Sequence, residues 1–119
     1  MPLKTVLIID DDHALLKTLR RIFAACQTCR VETADNGYAG IERFDAGSID
    51  LVITDIRMPG IDGSYVARHV RLAGKGRVPV IGMSGTPELM DRRLFDAVLH
   101  KPFDTGDLRM LLSDFGIFL

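Results

Sequence analysis

The 119 residues contain no apolar run approaching the roughly 20 consecutive residues of a membrane-spanning helix. Met1 to Ile9 is too short, and too regular a strand pattern, to read as a signal peptide. Neither sign of charge is in excess. Fifteen basic residues stand against 16 acidic ones, a formal net charge of -1, so no strong field draws the chain to nucleic acid or to a membrane surface. Low-complexity tracts, internal repeats and Pro/Gly/Ser-rich linkers are absent as well. The expectation is one soluble domain over residues 1–119, cytoplasmic, touching neither nucleic acid nor membrane directly.

Cysteine is scarce too. The two present, Cys26 and Cys29, form half of a zinc site with no second pair at ligand spacing. A thioredoxin-like motif would follow a strand and open a helix, whereas this pair follows a helical stripe. Two ordinary thiols, buried or half-buried, are expected.

The hydrophobic share of 47% and charged share of 26% suit an ordinary globular domain, and a chain of this length buries roughly two-thirds of its unfolded surface. Five apolar runs read as strands: Val6 to Ile9, Val31 to Ala34, Leu51 to Thr54, Val78 to Met83 and Ala97 to Leu99. The first, third and fourth barely alternate, as expected of parallel strands covered on both faces. Between them lie helical patterns. Leu15, Leu16, Leu19, Ile22 and Phe23 share one face, with Asp12 placed to cap it. Ile41 and Phe44 mark a second helix that Gly47 ends. Val66, Val70 and Ala73 mark a third, stopped by Gly74 and Gly76. Leu108, Leu111, Leu112 and Phe115 mark the last, opening near Asp104. A fourth, around Glu88 to Phe95, has the weakest pattern. Alternation of this kind implies right-handed crossovers and a doubly wound α/β fold, a five-stranded parallel sheet with helices on both faces.

Acidic, hydroxyl and ammonium groups follow the strands: Asp10, Asp11 and Asp12 after the first, Asp55 after the third, Ser84 after the fourth, Lys101 after the fifth. Ligands of such sheets bind beyond the carboxyl ends of the strands, so these loops should converge. Two carboxylates about 4 Å apart repel by roughly 4 kcal/mol at an effective dielectric of about 20, a penalty that a hard divalent cation removes. Oxygen ligands favour magnesium, calcium or manganese over zinc. A carboxylate nucleophile, a metal, a hydroxyl and an ammonium suffice for phosphoryl transfer, which asks for positioning and charge neutralisation.

Ile8-Ile9-Asp10-Asp11-Asp12, Asp55-Ile56-Arg57-Met58-Pro59-Gly60 with Asp62-Gly63, and Lys101-Pro102-Phe103 together resemble the signature segments of response-regulator receiver domains across nearly the whole chain. The resemblance implies a flavodoxin-like strand order 2-1-3-4-5 and a phosphoacceptor regulatory protein, not an enzyme, with self-catalysed phosphorylation and dephosphorylation. It implies Asp55 as phosphoacceptor, with magnesium or manganese held by Asp10, Asp11, Asp55 and the backbone carbonyl of Arg57. Ser84 matches the hydroxyl that bonds the phosphoryl group, Thr86 being a competitor, and Lys101 matches the ammonium that pairs with it. The Lys101-Pro102 bond would be cis. The implied partner is a histidine kinase or histidine-phosphotransfer protein docking around Ala14 to Thr18, and no attached effector domain is expected. Two features depart from the pattern. Val98 stands where the family commonly has an aromatic switch residue. Ser84 and Lys101 are only 17 positions apart (101 minus 84), about five residues short, more than one turn of helix at roughly 3.6 residues per turn. The fourth helix should therefore be stunted or replaced by loop.

Bland readings stand beside these. Asp10 suits a turn, Met58 and Met83 suit packing, His13 suits a solvated first-turn side chain or a charge that tunes the site at low pH, and His69 and His100 lack metal-ligand spacing. Competing functions are a pseudo-receiver that only binds partners, and a flavodoxin-like or phosphatase protein on the same scaffold. Three aspartates after the first strand would repel a flavin phosphate. A haloacid-dehalogenase-type arrangement on Asp10 and Asp12 would leave Asp55 without a role.

Overall fold

A computed structural model of the chain describes residues 3–74 and 77–119. The expected helix stop at Gly76 and the first two residues of the Met1 to Ile9 segment lie outside them. Five strands, β1 (Lys4–Ile9), β2 (Cys29–Ala34), β3 (Leu51–Asp55), β4 (Val80–Ser84) and β5 (Ala97–His100), alternate with helices α1 (His13–Phe23), α2 (Gly37–Ala46), α3 (Gly63–Leu72) and, after β5, α4 (Thr105–Ser113). The strands pair parallel throughout in the order β2-β1-β3-β4-β5, and chain direction therefore sends every carboxyl end to one rim.

Pleating divides the sheet's side chains between two cores. Val6, Ile8, Leu51, Ile53, Ile81 and Met83 pack with Leu16, Leu19 and Phe23 of α1 and Leu108 and Leu112 of α4. Leu7, Ile9, Val52 and Val80 pack with Phe44 of α2 and with Val66, Ala67 and Val70 of α3. The central strands are apolar on both faces because both faces are covered.

Helix starts are written in the sequence. Asp12, Asn36, Asp62 and Asp104 each accept backbone N–H bonds at the first turns of α1, α2, α3 and α4, and Asp104 forms a reciprocal box with Asp107. Gly74 ends α3 at φ +68°, a left-handed conformation that favours glycine. Several boundaries differ from the apolar pattern: β1 and β2 start two residues early, at Lys4 and Cys29, and β3, β4 and β5 each end one residue late. β4 begins at Val80 rather than Val78, because Pro79 has no N–H for a ladder, although its carbonyl accepts from Val52 N at 3.0 Å. Phe115 lies beyond the end of α4 yet still packs against the core.

In place of a fourth crossover helix the chain makes two single 3-10 turns, Pro87–Leu89 and Arg92–Leu94. The buried Phe95, with Met90 and Leu94 against the same core, covers β4 where that helix would lie. A Cβ on Gly82 would sit 2.5 Å from Met90 Cε, so the loop packs directly on the strand backbone. Asp96 pins its far end, accepting from Val80 N at 2.7 Å and Arg71 Nη2 at 2.9 Å and pairing with Arg77. Arg71 also donates to Leu94 O at 2.9 Å.

The expectation of two free thiols is corrected. Cys26 and Cys29 are joined as a disulfide, because the tight turn after α1 brings their Cα atoms to 5.7 Å, within bridging range. Both are buried, as expected. No helix of the described residues is long and apolar enough to cross a membrane.

Candidate functional site

Three strand ends and the loop after β5 meet at the carboxyl rim. Asp10 follows β1 and is fully buried, which a turn residue would not be. Its Oδ1 accepts from Asp12 N at 2.9 Å and its Oδ2 from Lys101 Nζ at 2.8 Å, so both oxygens are satisfied. Asp55 is the last residue of β3 and also buried, with Oδ1 3.3 Å from the same ammonium. Asp11 faces solvent, and one carboxylate oxygen from each of Asp10, Asp11 and Asp55 lies within 4.8 Å of the others.

Lys101 reaches this position through β5. Its N–H donates to Ser84 O at 2.8 Å, extending the β4–β5 ladder, and the peptide bond to Pro102 is cis. Ser84 ends β4 with a buried side chain whose Oγ accepts from Thr86 N at 2.9 Å and lies 3.5 Å from Thr86 Oγ1. Arg57 sits two residues past Asp55 in the loop to α3, its side chain exposed. Val98 is half-buried on β5. Met58 and Met83 are both buried in the cores.

Electrostatics sharpen the picture. Burial first, and the neighbouring Asp10 second, push the Asp55 carboxyl above its ordinary value, more than Lys101 pulls it down. Burial opposes the Lys101 ammonium, yet its hydrogen bond to Asp10 and the charges of Asp10 and Asp55 hold its pKa above the usual lysine value. The rim thus sets three carboxylates against one ammonium. All donors are hard anionic oxygens, one of them open to solvent, and the pocket carries an unrelieved repulsion at Asp55. The residues fit a divalent cation of the magnesium class.

Other candidates separate from this cluster. The Asp12 carboxylate caps α1 through Ala14 N and Leu15 N. His13 pairs with Asp35 at 3.3 Å and His69 with Asp45 at 2.7 Å, while His100 is exposed. One contact was not read from the sequence. A Cβ at Gly63 would collide with the Asp55 carbonyl, so the start of α3 lies against the backbone of the central acid. The Asp62-Gly63 pair, a cap followed by the smallest residue, was its signal.

The sequence profile of the response regulator receiver domain matches residues 6–113. Virulence sensor protein BvgS of Bordetella bronchiseptica is 31% identical over 120 residues, covering 92% of this chain. The chain spans 10% of that protein's length and 20 to 42% of several other curated relatives. Among solved structures, response regulator protein TrrA from Thermotoga maritima in complex with Mg(2+)-BeF superimposes with a TM-score of 0.83 at 27% identity, over 94% of this chain and 98% of that one. Chemotaxis response regulator CheY4 of Vibrio cholerae gives 0.86 at 22% identity, again over 94% and 98%.

Proposed function

Since the chain belongs to the response regulator receiver domain family, we propose that Asp55 takes a phosphoryl group from a phosphohistidine on a histidine kinase or histidine-phosphotransfer protein, making the chain a switch or relay in a cytoplasmic two-component pathway. A carboxylate oxygen of Asp55 attacks phosphorus as the N–P bond breaks, and the electron pair leaves with the imidazole. Asp10, Asp11, Asp55 and the Arg57 carbonyl hold magnesium or manganese. When bound, the cation supplies positive charge to the phosphoryl oxygens and offsets the repulsion among the carboxylates.

Lys101 Nζ, 3.3 Å from Asp55 Oδ1, is positioned to pair with a phosphoryl oxygen on that carboxylate. Ser84 Oγ accepts from Thr86 N, and its hydroxyl hydrogen can turn from the 3.5 Å contact with Thr86 Oγ1 to donate to another such oxygen. With the Asp12 carboxylate committed to capping α1, the second acid that a phosphatase built on Asp10 would need is removed. Partner docking falls near Ala14 to Thr18, at the start of α1 beside the rim. With Val98 in the switch position, the readout is ordering of the Ser84 to Phe95 segment. The same rim admits self-catalysed phosphorylation from small donors and hydrolysis by water.

A single observation carries the reading: one ammonium, 91 residues from Asp10 in sequence, contacts both Asp10 and Asp55 while Asp11 closes the oxygen cluster. Incubation with magnesium and acetyl phosphate, followed by intact mass, should add one phosphate to the wild type and none to Asp55→Asn. A wild type that gains nothing, or an Asn variant that gains equally, would refute it.

A further inference from the structure

The two cysteines lie at the opposite rim from the acids. Cys29 opens β2 at its amino end, in register with Lys4, and Cys26 sits in the turn after α1. Three features of the bridge bear on its use. It closes a loop of sequence separation 3, the size at which a cross-link restrains an unfolded chain least, so stabilisation by loop closure is a weak reason for it. Both cysteines are largely buried, 6% and 7% exposed, and with Arg20 and Arg30 they line a surface cleft of about 430 Å³. Thr28 Oγ1 stands 3.5 Å from Cys26 Sγ, and a sulfur bonded to sulfur carries no hydrogen, so the hydroxyl is the donor.

We propose that Cys26 and Cys29 form a reversible dithiol–disulfide couple whose co-substrate is a small dithiol of thioredoxin-like chemistry, with Cys29 Sγ the sulfur attacked and Cys26 Sγ the leaving sulfur. A thiolate of the donor bonds to Cys29 Sγ as the Sγ–Sγ bond breaks. The electron pair stays on Cys26, where the Thr28 hydroxyl, 3.5 Å away, donates to the new anion, which then takes a proton. The donor's second thiolate attacks its own sulfur in the mixed disulfide and closes the donor's disulfide. Cys29 is released as a thiolate that is protonated in turn. Two electrons and two protons pass to this chain, and the donor is oxidised by the same amount. Inside a cell, where persistent disulfides are rare, a bridge of this kind senses or exchanges. The couple is independent of phosphoryl chemistry at Asp55, since the sheet separates the two rims.

The test equilibrates the folded chain at pH 7 in glutathione buffers of graded reduced-to-oxidised ratio. Acid quenching, alkylation with N-ethylmaleimide and intact mass follow. The expected result is one transition from unlabelled to doubly labelled chain, complete without denaturant, with singly labelled species minor. A chain that never oxidises, or that yields its thiols only when unfolded, overturns the proposal. Assignment of the sulfurs is read separately, with circular dichroism confirming each fold. Thr28→Val should slow dithiothreitol reduction of the otherwise wild-type chain at least twofold. An equal rate overturns the assignment of Cys26 as leaving sulfur.

Discussion

A carboxyl group at the buried end of a strand, beside a second carboxylate, prefers to keep its proton, and Asp55 is in that position. Its folded value lies above the ordinary 3.8, so between the two values the native chain binds more protons than the unfolded one and stability falls as pH rises. Above that window the penalty is complete. Removing the charge should therefore help: in metal-free buffer at pH 7, Asp55→Asn is expected to melt at a higher temperature than wild type, by calorimetry with a chelator present. A lower melting point for Asn would mean that the Lys101 contact outweighs burial and repulsion. Lys101 has the opposite sign. Its raised value contributes stability fully present below 10.5 and lost only as pH climbs through the folded value, so it persists at neutrality.

Among the elements, the stretch from Thr86 to Phe95 is the least regular, and Asp96 fixes its distal end to β4 and α3. Burial works against that carboxylate, but the Val80 N–H, Arg71 and Arg77 outweigh it and hold its value low, so its stabilisation is present above 3.8 and lost as pH falls through the depressed value. Asp96→Ala strands the Val80 N–H and an arginine, at a cost of about 1–3 kcal/mol in denaturant unfolding. Hydrogen exchange over residues 86–95 should quicken in that variant and slow in the wild type when magnesium and beryllofluoride are added. Unchanged exchange on adding the mimic would remove the ordering readout. The short turns were legible by counting, since the 16 residues between Ser84 and Lys101 leave room for a loop, a strand and only a short helix. Strands and the Asp12 and Asp104 helix starts were legible because continuous Val/Ile/Leu runs and Asp before a helix each have one local cause, whereas the Asn36 and Asp62 caps were not read. The disulfide was not, because a turn's closure depends on φ and ψ that spacing does not specify. Nor was the Asp96 clasp, whose arginines come from another crossover 19 or more residues away. Sequence order along the strands named the charged members of the rim but not their pairing, and that Lys101 bonds Asp10 more closely than Asp55 emerges only from packed coordinates.

For the molecule as a whole, the site joins β1, β3 and the segment after β5, so a cation that binds only the folded arrangement stabilises the entire domain. At a magnesium concentration about 100 times its dissociation constant, unfolding should cost about 2.7 kcal/mol more than in chelator, and Asp55→Asn should lose most of that gain. Absence of any magnesium-dependent shift in the wild type would favour a partner-binding role without phosphoryl chemistry. The 91-residue span between Asp10 and Lys101 reaches further still. During synthesis, which runs from the amino terminus, all three acids leave the ribosome well before the lysine that balances two of them has been made. Until that residue is added, the rim carries an uncompensated negative patch, so the segment that brings in Lys101 completes both the fold and its charge balance.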